Sequence, residues 1–274
     1  MLLVGCDFSS APTTRKPIVV AIGAVEGNAV TLRGLEHFAS LDGWSAWLQA
    51  TPEWIGGFDL PFGLPRELVE QLGWPLQWEA LMAHYAALPR AEIRLAFAAF
   101  CRARPIGGKF AHRRTDGPAG SSPSMKWVNP PVAFMLHAGV PRLLDIGAGF
   151  PGLQPPCRAV KRIALEAYPG MLARELIGRR SYKSDDLKKQ TSDRALARAD
   201  LVSALEKGTT RLDLQLTISE AQRTLLLADA RGDRVDAVLC LMQTAWAWLR
   251  KDSPLAPFGL PVDVDPVEGW ILTS

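Results

Sequence analysis

The sequence predicts an α/β fold, a mixed β-sheet flanked by helices, in a single domain spanning residues 1–274. Three observations carry this. The chain opens with three short apolar runs joined by turn residues. A helix-spaced segment then leads into a fourth apolar run. Near the C-terminus, a long apolar stripe at helical spacing marks a buried helix. Hydrophobic residues make up 48% of the chain, enough for a core without disulfides, and charged residues 22%, the ordinary globular share, so extended disorder is not expected.

Leu2 to Phe8 is an apolar run with an acid near its end, the pattern of a buried strand that delivers Asp7. Pro17 to Val25 and Ala29 to Leu35 flank Glu26-Gly27-Asn28, so the first three strands form a hairpin-linked meander. Asp42 to Leu48 has an N-cap residue followed by Trp44, Trp47 and Leu48 on one face. Trp54 to Phe58 is the fourth strand, with Asp59 at its end and Pro61 and Pro65 as breakers. A strand that follows a helical crossover is expected to lie parallel in the sheet.

Residues 66–103 read as helices broken near Pro75 and Pro89. Residues 104–130 form a long Gly-, Pro-, Ser- and Arg/Lys-rich loop, and Val132 to Leu136 a short apolar segment. Lys161 to Ala167 reads as a strand carrying Glu166, and Pro169 opens a helix to about Ile177. Leu187 to Leu205 is a charged helix, and Ile218 to Ala230 another with Ser219 as its cap. Arg234 to Leu249 is the long amphipathic helix, preceded by Asp233. The tail DPVEGWILTS reads as a terminal edge strand.

A net charge of +3 identifies no partner, but its distribution is uneven. Six Lys/Arg lie between Arg102 and Lys126, and eleven between Arg158 and Arg198. These tracts suit either a phosphate-binding surface or solvated helix faces. Cys6, Cys101, Cys157 and Cys240 are too dispersed for a zinc site and read as buried free thiols of a reducing cytoplasm. No apolar run reaches the ~20 residues of a membrane span.

The acids carry the chemistry. Asp7 and Asp59 end apolar strands, and neighbouring parallel strands bring such ends together. Asp233 and Asp236 are three apart at a helix start, so both can face one side. Carboxylates converging in this way suit Mg²⁺ or Mn²⁺, which take hard oxygen ligands and serve phosphodiester hydrolysis. Each acid also has a plain structural role open to it: an Asx-turn for Asp7, a turn cap for Asp59, an N-cap for Asp233 and a helix-terminal charge for Glu166.

Six segments extend the pattern: GCDFSSA at 5–11, GGFDLPFGLP at 56–65, LEAYPGML at 165–172, YKSDDLKK at 182–189, DRVDAVLCLMQTAWA at 233–247 and EGWI at 268–271. In this order they resemble the DUF429 family, predicted nucleases of the ribonuclease-H-like superfamily. The resemblance implies a five-stranded mixed sheet of order 3-2-1-4-5 flanked by helices. Residues of about 66–158 would be a helical and loop insertion after the fourth strand. It implies metal ligation by Asp7, Asp59 and Asp236, with Asp233 and Glu166 in the same catalytic set. Glu166 and Tyr168 match an E-x-Y-P element. Lys183 lies in a Tyr-Lys element and would act as an electrostatic partner of substrate phosphate.

The expectation is therefore a divalent-metal-dependent nuclease acting on DNA or RNA, with Arg113, Arg114, Lys183 and Tyr168 contacting substrate. Two other classes share the fold. One is a nucleic-acid-binding or scaffold protein without catalysis, for which the basic tracts suffice. The other is an actin-like nucleotide-binding phosphotransferase, suggested by Asp145-Ile-Gly-Ala-Gly149. Against the latter, Asp7 is followed by Phe-Ser-Ser and lacks the expected glycine.

Overall fold

The computed structural model describes residues 1–155 and 160–274. Its centre is a mixed sheet built from β1 (Leu2–Asp7), β2 (Ile18–Glu26), β3 (Ala29–Phe38), β4 (Trp54–Phe58), β5 (Arg162–Glu166) and β6 (Gln215–Thr217). Their order is β5-β4-β1-β2-β3-β6. β2 pairs antiparallel with β1 and β3, whereas β1, β4 and β5 run parallel. The sheet thus has six strands rather than the expected five. β6 adds beside β3, in parallel, through three residues. Its pattern of one buried residue between two exposed ones is too short to register as a period in the sequence.

Ten helices appear among the described residues. α1 (Leu41–Ala50) crosses from β3 to β4. Its cap is Ser40, whose Oγ accepts from Gly43 N–H at 3.1 Å, so Asp42 lies inside the first turn instead of capping it. Between β4 and β5 come α2 (Arg66–Gln71), α3 (Trp78–Ala87), α4 (Arg90–Arg102), α5 (Asp116–Ala119) and α6 (Val132–Asp145). After β5 come α7 (Pro169–Ile177), α8 (Ser192–Lys207), α9 (Glu220–Ala228) and α10 (Asp233–Leu249).

Three expected elements change. The segment from Val132 is a full helix, running on through Gly139 and Pro141. Gly139 is needed there because a Cβ would meet Leu60 at 2.8 Å and Phe8 at 3.1 Å. The charged helix starts only at Ser192, capped by Thr191, and Leu187–Lys189 is a separate 3₁₀ turn capped by Asp186. The tail makes one bridge, Ile271 to Glu166, instead of a strand. Gly269 and Thr273 both have positive φ, which breaks an extended run on either side of that bridge.

Strand alternation sorts the core onto two faces. Val4, Cys6, Val20, Trp54 and Phe58 pack under α1, α3, α4 and α6. Leu3, Val19, Ala21, Ile55 and Leu165 pack under α7, α8 and α10. Cys6, Cys101 and Cys240 are buried free thiols, and Cys157 lies outside the described residues. No helix among the described residues is long and apolar enough to cross a membrane.

α10 approaches the sheet unusually closely. Gly5 and Gly57 stand opposite each other on β1 and β4. A Cβ on Gly5 would lie 2.1 Å from Leu241 N and 2.2 Å from Ala237 O, both backbone atoms of α10. A Cβ on Gly57 would lie 2.5 Å from Thr244 Oγ1. The Thr244 hydroxyl donates to Val4 O at 2.9 Å, fastening helix to strand. Gly5→Ala should therefore lower the unfolding free energy by about 3 kcal/mol, the upper end of overpacking costs. Gly34→Ala on β3, with open space around the new methyl, should change it by under ~0.5 kcal/mol. Urea denaturation of both variants checks the contrast.

Candidate functional site

Two parallel strands and one helix bring the aspartates together. Cys6 and Phe58 are paired in register, so the next residues, Asp7 and Asp59, leave the sheet side by side. Asp59 N–H donates to Cys6 O at 2.9 Å, which fixes this end of β4 against β1. By alternation, Asp7 continues the row of Leu3 and Gly5, and Asp59 that of Ile55 and Gly57, so both belong to the face that α10 covers. α10 begins after Gly232, a left-handed N-cap at φ 79°, which makes Asp233 the first helical residue and not the cap. Asp233 is half-buried, whereas Asp236 is fully buried one turn along the helix.

Asp236 accepts hydrogen bonds from the Tyr182 hydroxyl and from Lys183 Nζ. The lysine side chain keeps 43% of its surface exposed while its head reaches a carboxylate with none. Burial opposes the Lys183 charge, but Asp236, Tyr182 and Asp7 outweigh it and raise its pKa well above the ordinary value. The other acids are left crowded. Burial first, then repulsion from Asp236, pushes Asp7 well above the carboxylate range. The same two causes, in the same order, push Asp59 up to about 7. Asp233 is pushed up to about 6 by burial, Asp229 and Asp236.

Glu166 is placed differently from the expectation. It pairs in register with Phe58, one residue short of Asp59, and so belongs to the opposite face of the sheet. There Arg113 clamps it with two bonds, Nη2 to Oε1 at 2.7 Å and Nη1 to Oε2 at 2.8 Å. Phe62 N–H adds a third at 3.0 Å. Glu166 thus works as a structural counter-charge. Arg113, expected to contact phosphate, is corrected likewise. Its remaining donors go to Asp116 Oδ1 and Glu268 O, so all five are used inside the protein, and the side chain is buried.

Arg114 stays at the surface. It pairs with Asp263 at 2.9 Å and lies over the Trp270 ring. Several arginines of the basic tracts are internal ties, while others stay at the surface. Arg162 donates to Gln49 O, Thr51 O and Ile146 O, and Arg174 to Ala119 O and Gly120 O. Arg198 is buried and donates to Tyr182 O and Leu227 O. The glycine-rich stretch after Asp145 is structural too: Asp145 ends α6 exposed to solvent, and Gly149 bridges to Ile163.

A cavity of about 240 Å³ opens beside the acids. Asp59, Lys183, Tyr168 and Glu166 line it from the sheet side, and Ser121, Ser122, Pro130, Val132 and Met135 from the insertion. Tyr168 is held by its backbone, whose N–H donates to Gln243 Oε1 at 3.1 Å. The residues that sequence reasoning missed are supports. Tyr182 stands in the Tyr-Lys element and Gln243 in the 233–247 segment, but neither was given a role by sequence. Arg198 carries a signal of its own, because it interrupts the apolar stripe of Leu201, Val202 and Leu205 at helical spacing.

The donor set suits a hard divalent cation in one respect: Asp7, Asp59 and Asp236 offer only carboxylate oxygen, and their mutual repulsion is what a cation relieves. Their present arrangement is not a finished metal site. Among the described residues no three His, Cys, Asp or Glu side chains are grouped as ligands, and Lys183 holds Asp236. A cation that binds here has to displace that ammonium.

Two consequences are measurable. The folded protein holds a proton on Asp59 up to about pH 7, which an unfolded chain releases near its ordinary value of 3.8. Between those values the unfolded state binds fewer protons, so stability falls as pH rises, and the loss is complete above the folded value. Asp59→Asn should therefore melt several degrees higher than the unsubstituted protein at about pH 8, and close to it at about pH 4. Thermal melts across that range test the sign. Arg113→Met should cost about 3–5 kcal/mol, because it strands Glu166 and Asp116 without a counter-charge. Arg114→Met, at an exposed pair, should cost under ~1 kcal/mol in the same denaturation assay.

Comparison of the chain with protein-family models, curated proteins and solved structures finds no match.

Proposed function

We propose that the protein is a divalent-metal-dependent nuclease of the ribonuclease-H-like type, as the motif resemblance to the DUF429 family suggests. The observation that carries this reading is the meeting of Asp7, Asp59 and Asp236, from β1, β4 and α10, at one end of the sheet. There repulsion between them adds to burial in raising Asp7 and Asp59. The strand order supports it, since five of the six strands follow 3-2-1-4-5 among themselves. Groups whose pKa values are raised by burial and like charge cluster at functional sites.

Asp7, Asp59 and Asp236 would hold Mg²⁺ or Mn²⁺, with Asp233 adding negative charge alongside. The bound ion supplies Lewis acidity toward a phosphoryl oxygen. The remaining work belongs to the chain. Lys183 neutralises Asp236 in the free protein and turns its ammonium to the substrate phosphate once a cation takes the carboxylate. Tyr168, whose side chain lines the cavity, donates its hydroxyl to a non-bridging oxygen. Asp59 has to lose its proton before it ligates, so metal affinity rises with pH up to about 7.

The Lys183–Asp236 pair favours a second reading, a nucleic-acid-binding protein in which the lysine permanently replaces a metal. Incubation of DNA and RNA with the protein in Mn²⁺ separates the two. Chelator-sensitive cleavage that drops at least ~100-fold in Asp7→Asn and Asp236→Asn is the expected result. Binding without cleavage of any strand, and no metal-induced rise in melting temperature, would leave only the second reading.

A further inference from the structure

The cavity beside the acids has a size and a lining that the hydrolytic reading leaves unused. A cavity of ~150 Å³ accepts benzene. On that yardstick, about 240 Å³ accommodates a ring system of roughly ten non-hydrogen atoms, the size of one nucleobase. One side of it is apolar: Pro61, Pro130, Val132, Met135 and Ile271. Such a surface takes the face of a heteroaromatic ring, and a methionine thioether beside an aromatic ring adds a favourable contact. Asp59 and Lys183 line the same space. A base held on the apolar side therefore leaves its own phosphate next to the acid cluster.

The outer wall is fixed. Pro130, Val132 and Met135 belong to the insertion, and Arg113 of that insertion is bonded both to Glu166 at the end of β5 and to Asp116 beside it. A wall tied in this way does not open into a groove wide enough for stacked pairs. A duplex could use the cavity only by extruding a base, which costs stacking and pairing energy, whereas a single strand or a frayed end does not meet that cost.

We propose that this cavity receives one unstacked nucleobase, so that the substrate is a single strand or a strand end and not an intact duplex. The inference rests on the nuclease reading for the cleavage step, but base binding can be measured apart from it.

Calorimetry in Mg²⁺ compares AMP with ribose 5-phosphate, which differ only in the base. AMP should bind about tenfold or more tightly. Met135→Trp should abolish that preference while keeping the wild-type melting temperature, and Val132→Trp serves if the first variant does not fold. With Mn²⁺, a single-stranded oligonucleotide should be cut about tenfold or more faster than the same strand in a duplex. Preferential AMP binding with no cleavage of any strand would sink the nuclease reading and keep the base pocket. Equal binding of the two ligands, or AMP affinity unchanged in a folded tryptophan variant, would overturn the pocket. A duplex cut as fast as the single strand would overturn the substrate class.

Discussion

The close approach of α10 to the sheet is the constraint on which the rest depends. A helix normally rests on a sheet through side chains, with its axis a side chain's length away. Here Gly5 and Gly57 remove those side chains from two paired strands, and the backbone of α10 settles into the space. The consequence reaches the helix's first turn. Asp236 can influence Asp7 and Asp59 only because the helix that carries it lies this near the strands that carry them. The glycines therefore belong to the site as much as the acids do, although neither has a functional group.

Crowding buried carboxylates has a cost, and the structure meets it in two ways on the two sides of the sheet. On the α10 side, Asp236 is neutralised by a long, half-exposed lysine, Asp59 is partly protonated near neutral pH, and Asp7 is pushed above the ordinary carboxylate range. Those are reversible solutions, since a side chain can move and a proton can leave. On the insertion side, Glu166 and Asp116 are satisfied by Arg113, a buried guanidinium with every donor engaged. That solution is permanent, because breaking it strands two buried charges. A site that has to bind and release a charged ligand needs the first kind; a wall that has to stay in place needs the second.

The fold was legible where periodicity is strong. β4 and α10 are recovered almost to the residue, because a five-residue apolar run and a four-turn apolar stripe leave little choice. Only the Val132 to Leu136 part of α6 was read from sequence; the helix runs on through Gly139 and Pro141, and Gly139 is there for Leu60 and Phe8 to pack against. β6 has one buried residue and no period to detect. Of the site, Asp7 and Asp59 could be paired from strand ends alone. The duty of Arg113 could not, since a basic residue in a loop looks the same in sequence whether it faces phosphate or a buried glutamate.

Glu166 shows why strand ends by themselves are insufficient. Asp7, Asp59 and Glu166 all lie at the ends of parallel strands, and the family resemblance groups Glu166 with the two aspartates. The pleat separates them. Leu165 shares its face with Leu3 and Ile55, so Glu166 must turn to the other. One residue of difference in where the acid falls relative to the register converts a candidate ligand into the anchor of an arginine clamp. The E-x-Y-P element then has a divided role: its glutamate holds the insertion, its tyrosine enters the cavity, and its proline starts α7. The register accordingly gathers the aspartates on the α10 face, while Glu166 lies near enough to Asp59 to raise its pKa but is itself held by Arg113.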